Sequence, residues 1–181
     1  SAKILGLSAR ENMGFRDGFF LDDEAHQLKL VEMIRKYRPE ILLANALTDR
    51  HPDHGRAGRL AVNACFLSGL KKIETTHNGI AQEAWRPKQI FHYVQSVYIQ
   101  PDFVVDISEY WDKKEASIKA FKTQFFDPDN KEENTFISTP DFMKFLKARA
   151  REYGQSIQVK YGEGFTKNQQ IGVKDLFDFV F

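Results

Sequence analysis

Two histidines three residues apart, with an acid between them, lie in the segment Thr48-Asp49-Arg50-His51-Pro52-Asp53-His54-Gly55. Imidazole is a standard zinc ligand, and two rings at this spacing can approach one centre from a loop or from the first turn of a helix. A catalytic zinc takes about three protein ligands and keeps one position for water, so His51 and His54 alone are one ligand short. Asp53 can orient a neighbouring histidine by accepting its second N–H. It can equally cap the helix that follows. Asp49 and Arg50 add charge at the same place. The plainer reading of these residues is a solvated capping loop, and spacing alone leaves both open. A third reading completes the metal site of a different hydrolase, such as a phosphoesterase, with Asp49, Asp53 and His92.

The segments around this loop must place it. Ile41 to Ala44 is a short continuous apolar run, as in a strand buried on both faces of a parallel sheet. A helix is predicted from near Asp53 to about Gly69. Ligands of open α/β sheets bind at the carboxyl ends of strands, where His51 to His54 falls. Upstream, Asp22 or Asp23 caps a predicted helix to Tyr37, with Leu28, Val31, Ile34 and Tyr37 on its buried face. Arg38-Pro39 ends it. Glu11 to Phe15 reads as a short strand, Arg16 to Gly18 as a turn. Downstream, Asn78-Gly79 reads as a turn, and Gln89 to Ser96 and Phe103 to Asp106 as strands. Ser108 caps a predicted helix to about Phe126, Thr139-Pro140 opens another, and Ser156 to Tyr161 reads as an edge strand. The alternation implies an α/β fold. No repeat or linker divides residues 1–181, which read as one domain. Ser1 to Leu7 lacks an initiating Met and reads as the last turns of a helix closed by Gly6, so the fold is expected to extend upstream.

Basic residues number 26 and acidic residues 25, for a formal charge of +1. That balance gives no pull toward nucleic acid or an acidic membrane, and no run is long and apolar enough to span a bilayer. The single cysteine, Cys65, excludes an intrachain disulfide and fits a reducing cytoplasm. Its apolar neighbours make it a buried helix residue rather than a nucleophile. His92, between Ile90 and Val94, reads as a core or edge histidine, and His26 and His77 as solvent-exposed. Arg56 and Arg59 read as surface salt-bridging residues rather than an anion site. Signatures for dinucleotide binding, a Walker loop and a serine hydrolase are all missing.

Thr48 to Ala57, following the run Ile41 to Ala44, resembles the second signature of the PIG-L/LmbE-like de-N-acetylases. Arg10 to Gly18, Arg86 to Tyr93, Phe125 to Pro128 and Tyr161 to Phe165 resemble the branch of that family that acts in bacillithiol biosynthesis on N-acetylglucosaminyl malate. The resemblance implies a Rossmann-like, mostly parallel sheet flanked by helices, and one catalytic Zn2+. It implies His54 as a metal ligand, His51 as oxyanion stabiliser or acid, Asp53 as the residue that tunes His51, and Arg50 beside the substrate pocket. A small N-acetylglucosamine conjugate is the implied substrate, and a cytoplasmic homo-oligomer the implied form. The family's first signature, Ala-His-Pro-Asp-Asp, supplies two zinc ligands and the water-activating carboxylate, and it has no counterpart in this sequence. The expectation is therefore the C-terminal portion of a deacetylase fold, lacking its N-terminal strand–helix unit. The other zinc ligands are expected upstream of Ser1, and the chain alone is expected to be inactive. The alternative is a non-catalytic sugar-binding or oligomer-forming module derived from that fold.

Overall fold

The computed structural model describes residues 1–122, 124 and 136–180. Phe125 to Pro128 and the polar run Asp127 to Glu133 lie outside these. In chain order the elements are α1 (Ala2–Leu5), α2 (Glu24–Tyr37), β1 (Ile41–Ala44), α3 (Pro52–Ser68), β2 (Thr76–His77), β3 (Ile80–Ala81), β4 (Gln89–Tyr93), β5 (Phe103–Asp106), α4 (Trp111–Lys119), α5 (Pro140–Ser156) and β6 (Gly162–Lys167). The class is mixed α/β, as expected. The chain divides into two compact units, residues 13–102 with 165–181, and residues 1–12 with 103–164.

The histidine loop belongs to the larger unit. There, α2 opens at Asp23, whose carboxylate accepts the His26 N–H at 3.0 Å. It closes at Arg38, in the left-handed region at φ 48°, just before Pro39. Val31 and Ile34 pack against Ala64 and Cys65 of α3, joined by Leu42 and Ile90 from the strands. Tyr37, placed on the same face by the sequence pattern, is 47% exposed. Arg35 is buried and donates to the carbonyls of Ser68 at 3.0 Å, Leu70 at 2.9 Å and Ile73 at 2.7 Å. These acceptors lie at and beyond the carboxyl end of α3, where helix carbonyls lack partners and a cation meets the negative end of the dipole. One side chain thus fixes α2 against the end of α3.

Strands β1 and β4 are parallel, with Ile41 opposite Gln89 and Ala44 opposite His92. Residues 165–167 of β6 run antiparallel to β4. Burial of β1 is one-sided, against expectation. Ala44 is buried, whereas Ile41 and Leu43 are 55% and 56% exposed. Side chains alternate along a strand, so one face meets the helices and the other stays open among the described residues. Asn78 and Gly79, at φ 52° and 79°, form the primed turn that pairs β2 with β3.

In the smaller unit, α5 starts at Pro140 behind Thr139, as the sequence predicts. Two other expectations fail there. The helix expected from Ser108 to Phe126 is a 3-10 turn over Ser108–Tyr110 followed by α4, which stops at Lys119. Ser108 spends its hydroxyl on Asp106 at 2.6 Å instead of capping α4. The strand expected over Ser156 to Tyr161 is absent, because α5 runs to Ser156 and Gln158 turns left-handed at φ 62°. Gly154 permits this return. A Cβ there would lie 2.8 Å from the Val159 carbonyl oxygen and 2.9 Å from the Tyr161 nitrogen. Residues 11–15 form no strand either, and Gly14, at φ 66°, breaks the extended run. No helix among the described residues is long and apolar enough to cross a membrane.

Candidate active site

The chain leaves the carboxyl end of β1 at Asn45 and enters α3 at His51, the N-cap, with Pro52 in the first helical position. Strand β4 and its continuation hold this loop. His92 Nδ1 donates to the Asn45 carbonyl at 2.7 Å. Gln95 Oε1 accepts from the Ala46 N–H and from Asn45 Nδ2, both at 3.1 Å. The backbone N–H groups of Ser96 and Val97 donate to Asp49 Oδ1 at 2.9 and 2.7 Å. Helix α3 closes on the loop from the other side. A Cβ on Gly58 would lie 2.7 Å from the Asn45 carbonyl oxygen, and one on Gly55 would lie 2.9 Å from that of Leu47. Both obstacles are backbone atoms, so an added methyl must displace the loop or the helix. Gly58→Ala is therefore expected to lower stability by roughly 1–3 kcal/mol. Thermal unfolding reads this directly, and an unchanged Tm would show that α3 does not clamp the loop.

The two histidines of the loop have opposite hydrogen-bond partners. His54 Nδ1 lies 2.5 Å from Asp49 Oδ2. The Asp49 side chain is fully buried, while that of His54 is 32% exposed. Burial pushes the Asp49 carboxyl up, but the bonds from His54 and from the Val97 and Arg50 N–H groups outweigh it and hold it below the usual carboxylate range. An ionised carboxylate only accepts. The ring proton of the neutral form of His54 therefore sits on Nδ1, which leaves the lone pair on Nε2, away from Asp49. His51 is the reverse. Its Nδ1 accepts the Asp53 backbone N–H at 3.2 Å, which puts the proton of the neutral ring on Nε2. The ring centroids are 5.2 Å apart. One imidazole presents a ligand atom and its neighbour a donor.

Asp49 also ties the site to pH. With its carboxyl held below the ordinary 3.8, it stabilises the fold above that pH, and the contribution is lost as pH falls through the folded-state value. Denaturant titrations are expected to show stability dropping below about pH 4, and dropping less steeply in Asp49→Asn.

Asp53 is buried, and both its carboxylate oxygens are engaged. Oδ2 accepts the Gly18 N–H at 2.6 Å, and Oδ1 accepts from Arg56 at 2.6 Å. It meets His51 through its backbone N–H. Asp17, His51 and Asp53 can each bring one ligand atom within 4.8 Å of the others, the one such cluster among the described residues. Arg56 already balances Asp53 and competes with any cation there, and His54, the ligand expected from the sequence, lies outside this cluster. Arg50 is exposed at the loop. Arg59 donates to the Leu47 carbonyl at 3.3 Å.

Other sequence readings come out differently. His92 is a core histidine, as read, 1% exposed and outside the Asp17 cluster. It supports the loop instead of completing a metal site with Asp49 and Asp53. His26 and His77, read as exposed, are half-buried and paired with Asp23 at 2.6 Å and Glu32 at 2.7 Å. Arg56 forms a salt bridge, as read, but with the buried Asp53, and its own side chain is half-buried. Burial pushes the Cys65 thiol up to about 12, which leaves it without thiolate character near neutrality. Sequence reasoning missed that Asp49 pairs with His54 and that the Arg16 to Gly18 turn reaches Asp53. Asp49 registered only as added charge and as a metal-site residue of the phosphoesterase alternative.

The GlcNAc-PI de-N-acetylase (PIG-L) family model matches residues 1–65, a span that ends inside α3 after both loop histidines. The solved structure of the conserved protein TT1542 from Thermus thermophilus superposes with a TM-score of 0.82 at 33% identity, over 97% of this chain and 72% of that one. The chain belongs to the PIG-L family. It is 27% identical over 168 residues to a diacetylchitobiose deacetylase of Thermococcus kodakarensis, over 91% of this chain and 58% of that protein. It is 30% identical over 128 residues to a 4-oxalmesaconate hydratase of Pseudomonas putida, over 68% of this chain and 48% of that protein. This PIG-L chain thus spans about half the length of the curated relatives it matches.

Proposed function

We propose that this PIG-L chain carries half of a zinc-dependent de-N-acetylase site that hydrolyses a small N-acetylglucosamine conjugate to acetate and a free amine. The opposed tautomers of His51 and His54 carry the reading, because one imidazole is then set to ligate a metal while its neighbour is set to donate to an oxyanion. A zinc ion bound there supplies a polarised amide carbonyl and a water of lowered pKa. His54 would hold the ion through Nε2, kept in register by Asp49. His51 Nε2–H donates to the oxyanion that develops as the amide carbon becomes tetrahedral. Asp53 fixes the first turn of α3, and with it His51, through its bonds to Gly18 and Arg56. Arg50 offers an exposed cation for a carboxylate of the substrate, which favours N-acetylglucosaminyl malate as the finer assignment. The deacetylase among the relatives supports an N-acetylated sugar as the class. The remaining ligands and the base that takes the water's proton are assigned to sequence outside residues 1–181.

Acetate release by the full natural protein tests this, with N-acetylglucosaminyl malate, N,N'-diacetylchitobiose and N-acetylglucosamine as substrates. The expected result is acetate from the malate conjugate, abolished by chelation and restored by zinc. Acetate from none of the three, or release indifferent to chelation, would reject the reading. Sugar binding without release would leave a binding module in its place.

A further inference from the structure

Asp17, His51 and Asp53 bring two carboxylate oxygens and an imidazole nitrogen within 4.8 Å of one another. That donor set suits a divalent first-row metal ion, and two carboxylates match its charge. An ion held there would be separate from one held by His54, which lies outside the cluster. It would also take His51 from the reaction. Its Nδ1 accepts the Asp53 N–H at 3.2 Å, and the proton of the neutral ring is on Nε2. Ligation at Nε2 displaces the donor proton, and ligation at Nδ1 displaces the cap of α3.

The protein supplies a cation of its own at this place. Arg56 Nη1 donates to Asp53 Oδ1 at 2.6 Å and to the Gly18 carbonyl at 3.2 Å. Its guanidinium carbon lies 5.5 Å from the centre of the Phe20 ring, within reach of cation–π attraction. Asp53 Oδ2 takes the Gly18 N–H at 2.6 Å, so both backbone polar groups of Gly18 end on the Asp53–Arg56 pair, directly after Asp17 in the chain. The side chains of Arg56 and Asp53 are 25% and 11% exposed. Partly buried charges are screened less than open ones. An arginine also keeps its charge at any working pH, so this cation is never withdrawn.

We propose that Arg56 is a positioning residue that stands in for a divalent cation, shutting a second metal ion out of the Asp17–His51–Asp53 cluster and leaving His51 free to donate. The order of events on removing it follows from charge. Without the guanidinium, Asp53 Oδ1 is released, and two carboxylates face one imidazole with nothing to balance them. A divalent ion then binds and draws the ring of His51 to itself. The effect on turnover rests on the deacetylase reading, whereas the exclusion of the ion rests on the cluster alone.

Mn2+ binding to the zinc-loaded natural protein, Arg56→Gln and Arg56→Lys is the test, counted from the EPR signal of free Mn2+. Glutamine keeps a donor for Asp53 and drops the charge, while lysine keeps the charge and drops the planar fork. Arg56→Gln is expected to bind one Mn2+ per chain beyond the natural protein, at least about tenfold more tightly than Arg56→Lys does. Adding Asp17→Asn to Arg56→Gln is expected to abolish the extra ion, which places it in the cluster. Mn2+ is also expected to suppress acetate release by Arg56→Gln more than by the natural protein. An Arg56→Gln protein that binds no more Mn2+ than the natural one would overturn the proposal. So would equal extra binding in Arg56→Lys, since charge would then not be what excludes the ion, or an extra ion that survives Asp17→Asn. If the natural protein releases no acetate from any N-acetylated sugar, the deacetylase reading falls, and the Mn2+ count still decides the role of Arg56.

Discussion

Asp49→Asn is expected to lower zinc affinity by about 10- to 100-fold and to take deacetylase activity down with it, while leaving the fold nearly intact. The substitution keeps the size of the side chain. Its Oδ1 still accepts from Ser96 and Val97, so the loop remains anchored to the end of β4. The change falls on the other atom. Asp49 Oδ2 faces His54 Nδ1 at 2.5 Å and accepts its proton. An amide Nδ2 in that place donates. His54 must then accept on Nδ1 and carry its proton on Nε2, the tautomer that His51 already has, and the lone pair on Nε2 is gone. Asp49→Ala removes the acceptor as well. It is expected to cost a further 1–3 kcal/mol or so, because two backbone N–H groups lose their partner inside the protein. Chelator competition measures the affinity, and 15N imidazole shifts of the metal-free protein report the tautomer independently of activity. Full zinc affinity in Asp49→Asn, with Nδ1 of His54 still protonated, would show that another group sets the ring.

How much of this is legible without coordinates depends on the range of the interaction. The run Ile41 to Ala44, the proline at 52 and the acid at 53 act on their own neighbours, and the strand, the loop and the start of α3 all form where those residues place them. The His-Pro-Asp-His segment falls at the start of α3 for the same reason. What the sequence conceals is which oxygen each histidine meets. That is decided by Ser96 and Val97 holding Asp49 from 47 and 48 residues away, and by Gly18 reaching Asp53 across 35. Such partners leave no periodicity. The misplaced strand at 156–161 fails on a different ground. Alternating polar and apolar residues there match a strand pattern, but Gly154 lets the chain fold back over the end of α5, and that close approach overrides the pattern. The apolarity of β1 misleads in a similar way. Ile41 and Leu43 favour a strand whatever covers them, so composition reports the element without reporting its burial.

His51→Ala is expected to lower kcat by about 10²- to 10³-fold, the usual cost of losing one oxyanion donor. KM and zinc affinity should stay near their natural values, because the Nε2–H of His51 acts where charge develops and not on the bound ground state. This is the opposite signature to Asp49→Asn, where affinity for the metal falls first and activity follows. The substitution has one side effect that must be separated. His51 is the N-cap of α3, and its Nδ1 accepts the Asp53 N–H. Losing that acceptor is expected to cost about 1 kcal/mol of stability. His51→Asn separates the two roles. Asparagine is a favoured N-cap and can accept the same N–H, but its short amide cannot reach where the imidazole Nε2 points. The expected pattern is an equal loss of kcat in both variants, with a lowered Tm only in His51→Ala. If His51→Asn keeps its activity, the ring of His51 serves the helix and not the reaction, and the oxyanion donor has to be sought elsewhere around the loop.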